Sequence, residues 1–275
     1  MREIGIIAAK EVRDGMRNRW VVAITLLLAA FALTLAFLGA APTGAVKVSP
    51  VAVTIVSLSS LTIFLLPLIA LLLSYDAIVG EVDRGTMALL LAYPVTRWQV
   101  VLGKFIGHTA ILAFATAIGY GAAGAILALT DGGDAATWPA FVLLVGTSIL
   151  LGTVFIAVGY LVSALVRDRG TAGGIAIGVW LLFALIYDMV LLGVLVADQG
   201  RNVTAGMVNW LLLLNPSDAF RLFNLAGTPG VSSFSGLAGL TDQMRLAPAT
   251  LVVALGLWVA VPLAATIGVF SRREI

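Results

Sequence analysis

Six times along this chain, at residues 20–40, 51–74, 105–129, 138–165, 171–196 and 248–270, twenty or more residues pass with at most one charge. A run of about 20 apolar residues is the length of helix that crosses the hydrocarbon of a bilayer. Lipid offers the backbone no hydrogen-bond partner, so a spanning segment must satisfy its own amides, as a helix does. The chain is therefore predicted to be all-α, a polytopic membrane protein with six transmembrane helices. Its 275 residues are 61% hydrophobic and 11% charged. A soluble domain, at roughly 45–50% apolar, cannot cover that much surface.

The basic residues set the topology. Flanks on one side of the spans hold Arg2, Lys10, Arg13, Arg17, Arg19, Arg84, Arg97, Lys104, Arg167, Arg169, Arg272 and Arg273, while the other side holds Lys47, Arg201, Arg221 and Arg245. Lys and Arg collect in cytoplasmic flanks. Both termini and the 75–104 segment are thus assigned to the cytoplasm of a bacterial inner membrane. Basic residues spread in this way form no single face for nucleic acid, and no nucleic acid partner is expected.

In residues 1–19, Ile4, Ile7, Ala8, Val12, Gly15 and Met16 share one helical face, opposite Glu3, Lys10, Glu11, Asp14 and Arg17. That pattern suits a helix lying along the cytoplasmic lipid interface. A solvated helix leading into the first span is the alternative. A cleaved signal peptide fits less well, because its apolar core usually runs to only about 7–15 residues.

The chain reads as one permease domain, 1–275, with the interfacial helix at 1–19, the cytoplasmic segment at 75–104 and an outer insertion at 197–247. The insertion contains an apolar run too short to cross. Asn215 reads as a helix N-cap, Pro216 as the first helical residue and Asp218 as a first-turn acid. Two short helices dipping into the outer leaflet and meeting at this corner are expected. The following "GTPGVSSFSGLAGLTDQ" reads as an exposed loop. Small residues at four-residue spacing, Gly170, Gly174 and Gly178 on one span and Ala113, Ala117, Gly121 and Ala125 on another, are expected to pack the bundle.

Within the spans only Asp188 is clearly ionisable, and His108 lies near the start of the third. Asp188 could bind a proton or cation, or pair with a neighbouring donor. The Gly103-Lys104 pair lacks the glycine spacing of a phosphate-binding loop, and no metalloprotease or nucleophile-elbow motif occurs. The chain is expected not to be an enzyme and to have no catalytic residues or cofactor of its own.

One segment interrupts the apolar pattern: "YDAIVGEVDRGTMALLLAYPVTR", residues 75–97, with Asp76, Glu81, Asp83, Arg84 and Arg97. Thr86 could cap a short helix and Pro94 end it. Met87, Leu89, Leu90 and Leu91 would hold that helix against the membrane, presenting Glu81, Asp83, Arg84 and Arg97 to a cytoplasmic partner. An ordinary charged loop is the bland alternative.

This segment, continued through "WQVVLGKF", resembles the Glu-x-x-x-Gly-Thr…Leu-Leu…Pro-x-x-Arg…Gly-Lys stretch of type-2 ABC exporter permeases. The interfacial helix, six spans and outer insertion agree with it over the whole chain. More narrowly, "RNRWVVAI", "PLIALLLSYDAIVGE" and "GKFIGH" are similar to the permease subunits that serve nitrous oxide reductase maturation in denitrifying bacteria.

The resemblance implies that the segment is the coupling helix docking on a separate cytoplasmic ABC ATPase, which binds ATP and Mg. Glu81, Asp83, Arg84, Gly85, Thr86, Pro94 and Arg97 would form the ATPase-coupling site. It further implies a homodimer in membrane lipid and a periplasmic copper-delivery partner. Copper itself has no route written in the sequence. Its soft ligands are Cys, Met and imidazole, and the chain has no Cys, one His and six scattered Met. No metal site is expected, and force transmission to the outer partner is favoured over copper conduction. Export of another small solute, an ion-coupled carrier centred on Asp188, and a plain membrane scaffold are the competing readings.

Overall fold

The computed structural model describes residues 2–17, 19–39, 50–130, 138–198, 201–226 and 246–273. The loop expected at "GTPGVSSFSGLAGLTDQ" lies outside the described residues. Every element among them is helical: α1 Arg2–Met16, α2 Arg19–Gly39, α3 Pro50–Ser74, α4 Val79–Asp83, α5 Thr86–Leu91, α6 Arg97–Thr130 and α7 Trp138–Leu165. After these come α8 Arg169–Leu181, a π-helical segment Leu182–Ile186, α9 Tyr187–Asp198, α10 Ala205–Leu214, α11 Pro216–Ala226 and α12 Pro248–Arg272. Among the described residues, five helices are long and apolar enough to cross a membrane, and the pair α1–α2, bent by 70°, makes up to six.

Two boundaries differ from the sequence reading. The second span continues through a turn at 75–78 into α4, giving one apolar stretch to Asp83. The third starts at Arg97 rather than near residue 105. Charges at Glu81 and Lys104 look like water-facing residues in sequence, but each neutralises the other inside the protein (below), so the helices need not end there.

α7 forms the centre, buried along most of its length from Leu151 to Ala164, with α3, α6 and α12 around it. Glycine lets these backbones close up. A Cβ at Gly152 would collide with Leu112 of α6, and one at Gly159 with Ser74 of α3. Gly103 and Gly107 do the same for α1: a Cβ at the first would stand 2.7 Å from Ile7 Cβ, and at the second 2.5 Å from Glu11 Cβ. The stripes singled out in the sequence face elsewhere. Gly121, Gly174 and Gly178 have open space where a Cβ would go, and Ala117 and Ala125 are exposed. Four-residue spacing identifies a face without saying what covers it.

In the apolar middle, the Tyr120 and Thr62 hydroxyls lie 2.7 Å apart. Thr62 Oγ1 donates to the Leu58 carbonyl, so Tyr120 donates to Thr62. The span formed by α8, the π segment and α9 is peripheral, burying Ala172, Ala176 and Ala184; α9 buries none of its residues.

Candidate functional site

The helix ends rich in Lys and Arg converge at one end of the bundle, called here the basic end. At its heart is Lys104, whose side chain is only 4% exposed. Its Nζ donates to Glu81 Oε1 at 2.6 Å and to Glu11 Oε1 at 2.8 Å. One buried ammonium thus ties α4 to α1 through α6. A buried charge is tolerable only when paired and hydrogen-bonded, and Lys10, 3.7 Å from Glu11, adds a second cation at the rim. Next along α6, His108 Nδ1 lies 2.8 Å from the Tyr160 hydroxyl, and its Nε2 is 3.7 Å from Glu11 Oε2.

α4 is also gripped from the other side. Its first amides would be orphaned at a helix start, and Ser163 Oγ accepts from Ile78 N at 3.0 Å and Val79 N at 3.1 Å. Asp76 pairs with Arg169 at 2.7 Å. The chain then turns at Gly85, whose φ of +70° lies in the left-handed region that glycine enters without strain. Gly85, rather than Thr86, is therefore the N-cap of α5, and Thr86 Oγ1 instead donates back to the Glu81 carbonyl at 3.2 Å.

The residues expected to face a partner divide into two groups. Asp83, Arg84, Gly85, Thr86 and Pro94 are exposed. Glu81 and Arg97 turn inward: Glu81 to Lys104, and Arg97 to the carbonyls of Phe270, Ser271 and Arg273 at the end of α12. The apolar residues of α5 divide as well. Met87 is fully buried and pins the helix, whereas Leu89 is 69% exposed and Tyr93, just beyond the helix, 70%. A six-residue helix has about one and a half turns, so it cannot aim all its apolar side chains one way. Between α1 and α5 lies a groove of about 400 Å³, lined by Lys10, Glu81, Arg84, Thr86, Leu89 and Tyr93.

At the opposite end, Asp188 is paired. Arg221 Nη2 of α11 donates to Asp188 Oδ2 at 2.7 Å, and Arg221 Nη1 is 3.5 Å from Asp218 Oδ1. The corner read from the sequence is present: α10 ends and α11 begins at Asn215, whose Oδ1 accepts from Ser217 N at 3.0 Å. Asn215 Nδ2 donates to Asp218 Oδ2 and to the Phe183 carbonyl. Burial pushes the Asp218 carboxyl up to about 7, with the Asp188 charge adding to the rise and Arg221 and Asn215 opposing it.

Sequence reasoning missed Glu11, Ser163 and Arg221 as partners and counted Lys104 only toward topology. For Lys104 a signal existed, a lone cation among Val101, Leu102 and Phe105. For the others the partner lies tens of residues away, and no local pattern announces it.

Residues 6–275 match the family described as ABC-2 family transporter protein. The chain is 46% identical over 277 residues, covering 100% of both chains, to "Probable ABC transporter permease protein NosY" of Pseudomonas aeruginosa. It is 46% identical over 276 residues, covering 99% of both, to the protein of the same name from Stutzerimonas stutzeri.

Proposed function

The chain belongs to the ABC-2 family of transporter proteins, and on that premise we propose that it couples a separate cytoplasmic ABC ATPase to a partner on the periplasmic side. It is a multi-pass permease, and in this reading its basic end faces the cytoplasm of a bacterial inner membrane. ATP and Mg belong to the ATPase, and two copies of the permease form the membrane unit. The resemblance to permeases of nitrous oxide reductase maturation supports copper-site assembly of that enzyme as the process served.

One observation carries the reading. Asp83, Arg84, Leu89 and Tyr93 are exposed on α5 and the stretches that flank it, while Glu81 before them and Arg97 after them are bonded into the bundle. A docking element needs both properties, an uncommitted face and a rigid connection to what must move. Displacement of α5 reaches α4 through the Gly85 turn, and Glu81 passes it to Lys104 and so to α6 and α1. Export of another solute shares all of this and differs only in cargo. An ion carrier centred on Asp188 is disfavoured, since Arg221 already occupies that carboxylate.

The test is a double variant, Arg84→Glu with Leu89→Asp, in membranes co-expressing the ATPase. The permease is expected to remain folded by size exclusion while the ATPase no longer copurifies. Unchanged copurification would remove the docking assignment.

A further inference from the structure

Arg97 opens α6 three residues after Pro94, and its half-buried guanidinium is turned toward the end of α12. Nη1 donates to the carbonyls of Phe270 at 2.9 Å, Ser271 at 3.1 Å and Arg273 at 2.5 Å. The head sits 5.7 Å from the centroid of the Phe270 ring, and Phe270 is fully buried. The Phe270 carbonyl also accepts from Arg273 N at 3.3 Å; all three carbonyls lie at the C-terminus of α12, where a helix runs short of amides, its dipole is negative and a cation is favoured. Arg273 in turn donates to the Ala164 carbonyl at 3.2 Å, in the last turn of α7. The start of α6 and the ends of α7 and α12 are thus fastened together.

The far half of α12 reaches the other end of the molecule. Trp258 Nε1 donates to the Leu213 carbonyl of α10 at 3.2 Å, and its ring meets Phe183 of the π segment edge-on at 5.4 Å. At about 1.5 Å of rise per residue, Trp258 lies roughly 18 Å along the helix from Phe270. Pro262 sits between them inside α12. It has no amide to offer the Trp258 carbonyl, so the helix bends most easily just below the Trp258 contact.

The geometry points to Arg97 as a positioning residue through which the coupling segment drives α12, and α12, with its bend at Pro262, as the helix that carries this movement to the α10–α11 pair. The inference rests on the coupling reading above and alters its route, since Arg97 acts on its own chain and leaves ATPase contact to Asp83, Arg84 and Leu89.

The chain contains no cysteine, so Val253→Cys gives a single label site. Val253 lines an apolar groove of about 450 Å³ between α12 and α10, with Trp210, Leu214 and Leu257. Movement of α12 against α10 changes its access to a maleimide. In the intact complex with its ATPase, the labelling rate is measured without nucleotide and after trapping with ATP, Mg and vanadate. A severalfold change is expected on the parent background. Arg97→Ala should retain the ATPase at the normal ratio yet abolish the change. Arg97→Lys, which keeps a cation but loses the planar fork, should retain part of it and shows that the loss is not misfolding.

A full nucleotide response in Arg97→Ala would overturn the proposal. So would loss of the ATPase from that variant, because Arg97 would then be a contact to the partner. If the parent itself binds the ATPase but shows no response, the clamp has no movement to carry and falls. If no ATPase copurifies with the parent, the coupling reading falls first and takes the clamp's role with it.

Discussion

Asn215 Nδ2 donates to the Phe183 carbonyl across 3.1 Å, joining the corner between α10 and α11 to the first half of the π-helical segment. Adding one residue to a helical turn leaves a carbonyl in need of another partner, and Asn215 supplies the donor. The same side chain caps α11 through Ser217 N. The two irregularities, a π turn in one element and a helix break in another, are stabilised by one amide group.

Asn215→Ala should therefore lose more than an ordinary cap. Removing a cap costs about 0.5–2 kcal/mol, and losing the part-buried bond to the Phe183 carbonyl adds about 0.5–1.5 kcal/mol. Thermal unfolding in detergent should shift downward clearly, and more than in Thr204→Ala, where a cap at the start of α10 is lost. Equal shifts in the two variants would dissociate Asn215 from the π turn.

Lys104→Met should be among the most damaging single changes at the basic end. It leaves the Glu11 and Glu81 carboxylates facing each other without their shared cation, and removing one partner of a buried pair costs roughly 3–5 kcal/mol. Adding Glu11→Gln and Glu81→Gln to Lys104→Met should restore much of the stability, since the uncompensated charges then disappear. A triple variant no more stable than the single would show that the cluster matters for packing alone.

Asp218 gives the stability a pH dependence. The folded protein holds its proton up to about pH 7, whereas the ordinary value is 3.8. Between those values the unfolded chain has released the proton and the folded one has not, so stability falls as pH rises through that window and levels off above it. Asp218→Asn should remove this contribution, flattening the Tm profile between pH 4 and pH 7. An unchanged profile would place the carboxyl in the ordinary range.

Gly107→Ala should displace α1. Its Cβ would lie 2.5 Å from Glu11 Cβ and 3.1 Å from the Ala8 carbonyl oxygen, and backbone cannot yield as a side-chain tip can. Faster tryptic cleavage at Arg13 and Arg17 is the expected readout, with Gly121→Ala, which meets open space, as the silent control. Equal protection of α1 in both would contradict the close crossing of α1 and α6.

The spans were legible because hydrocarbon imposes one demand, apolar length, that a sequence displays directly. The Asn215–Pro216–Asp218 corner was legible for a different reason: capping is settled within three residues. The fate of the charges was not legible. Glu81 and Asp83 look alike in sequence, yet one is bonded inside and the other faces outward, because the choice depends on Lys104 and Glu11 arriving from other helices. Arg97 likewise finds its acceptors more than 170 residues on. The boundary errors have the same origin, since a charge whose partner is distant reads as a charge in water.

The Tyr120–Thr62 bond between α6 and α3 sets a limit on how this bundle can move. If either helix slid by a turn along the other, both hydroxyls would part inside the buried core of the bundle, where a lost bond is not replaced by water. A tilt about that point leaves the bond intact. α3 leads into one flank of the segment 75–96 and α6 begins at the other, so the two arms are pinned near mid-depth like the blades of scissors. Pressing the handles together at the basic end spreads or closes the blades beyond the pivot, and the stroke at each end scales with its distance from one phenol.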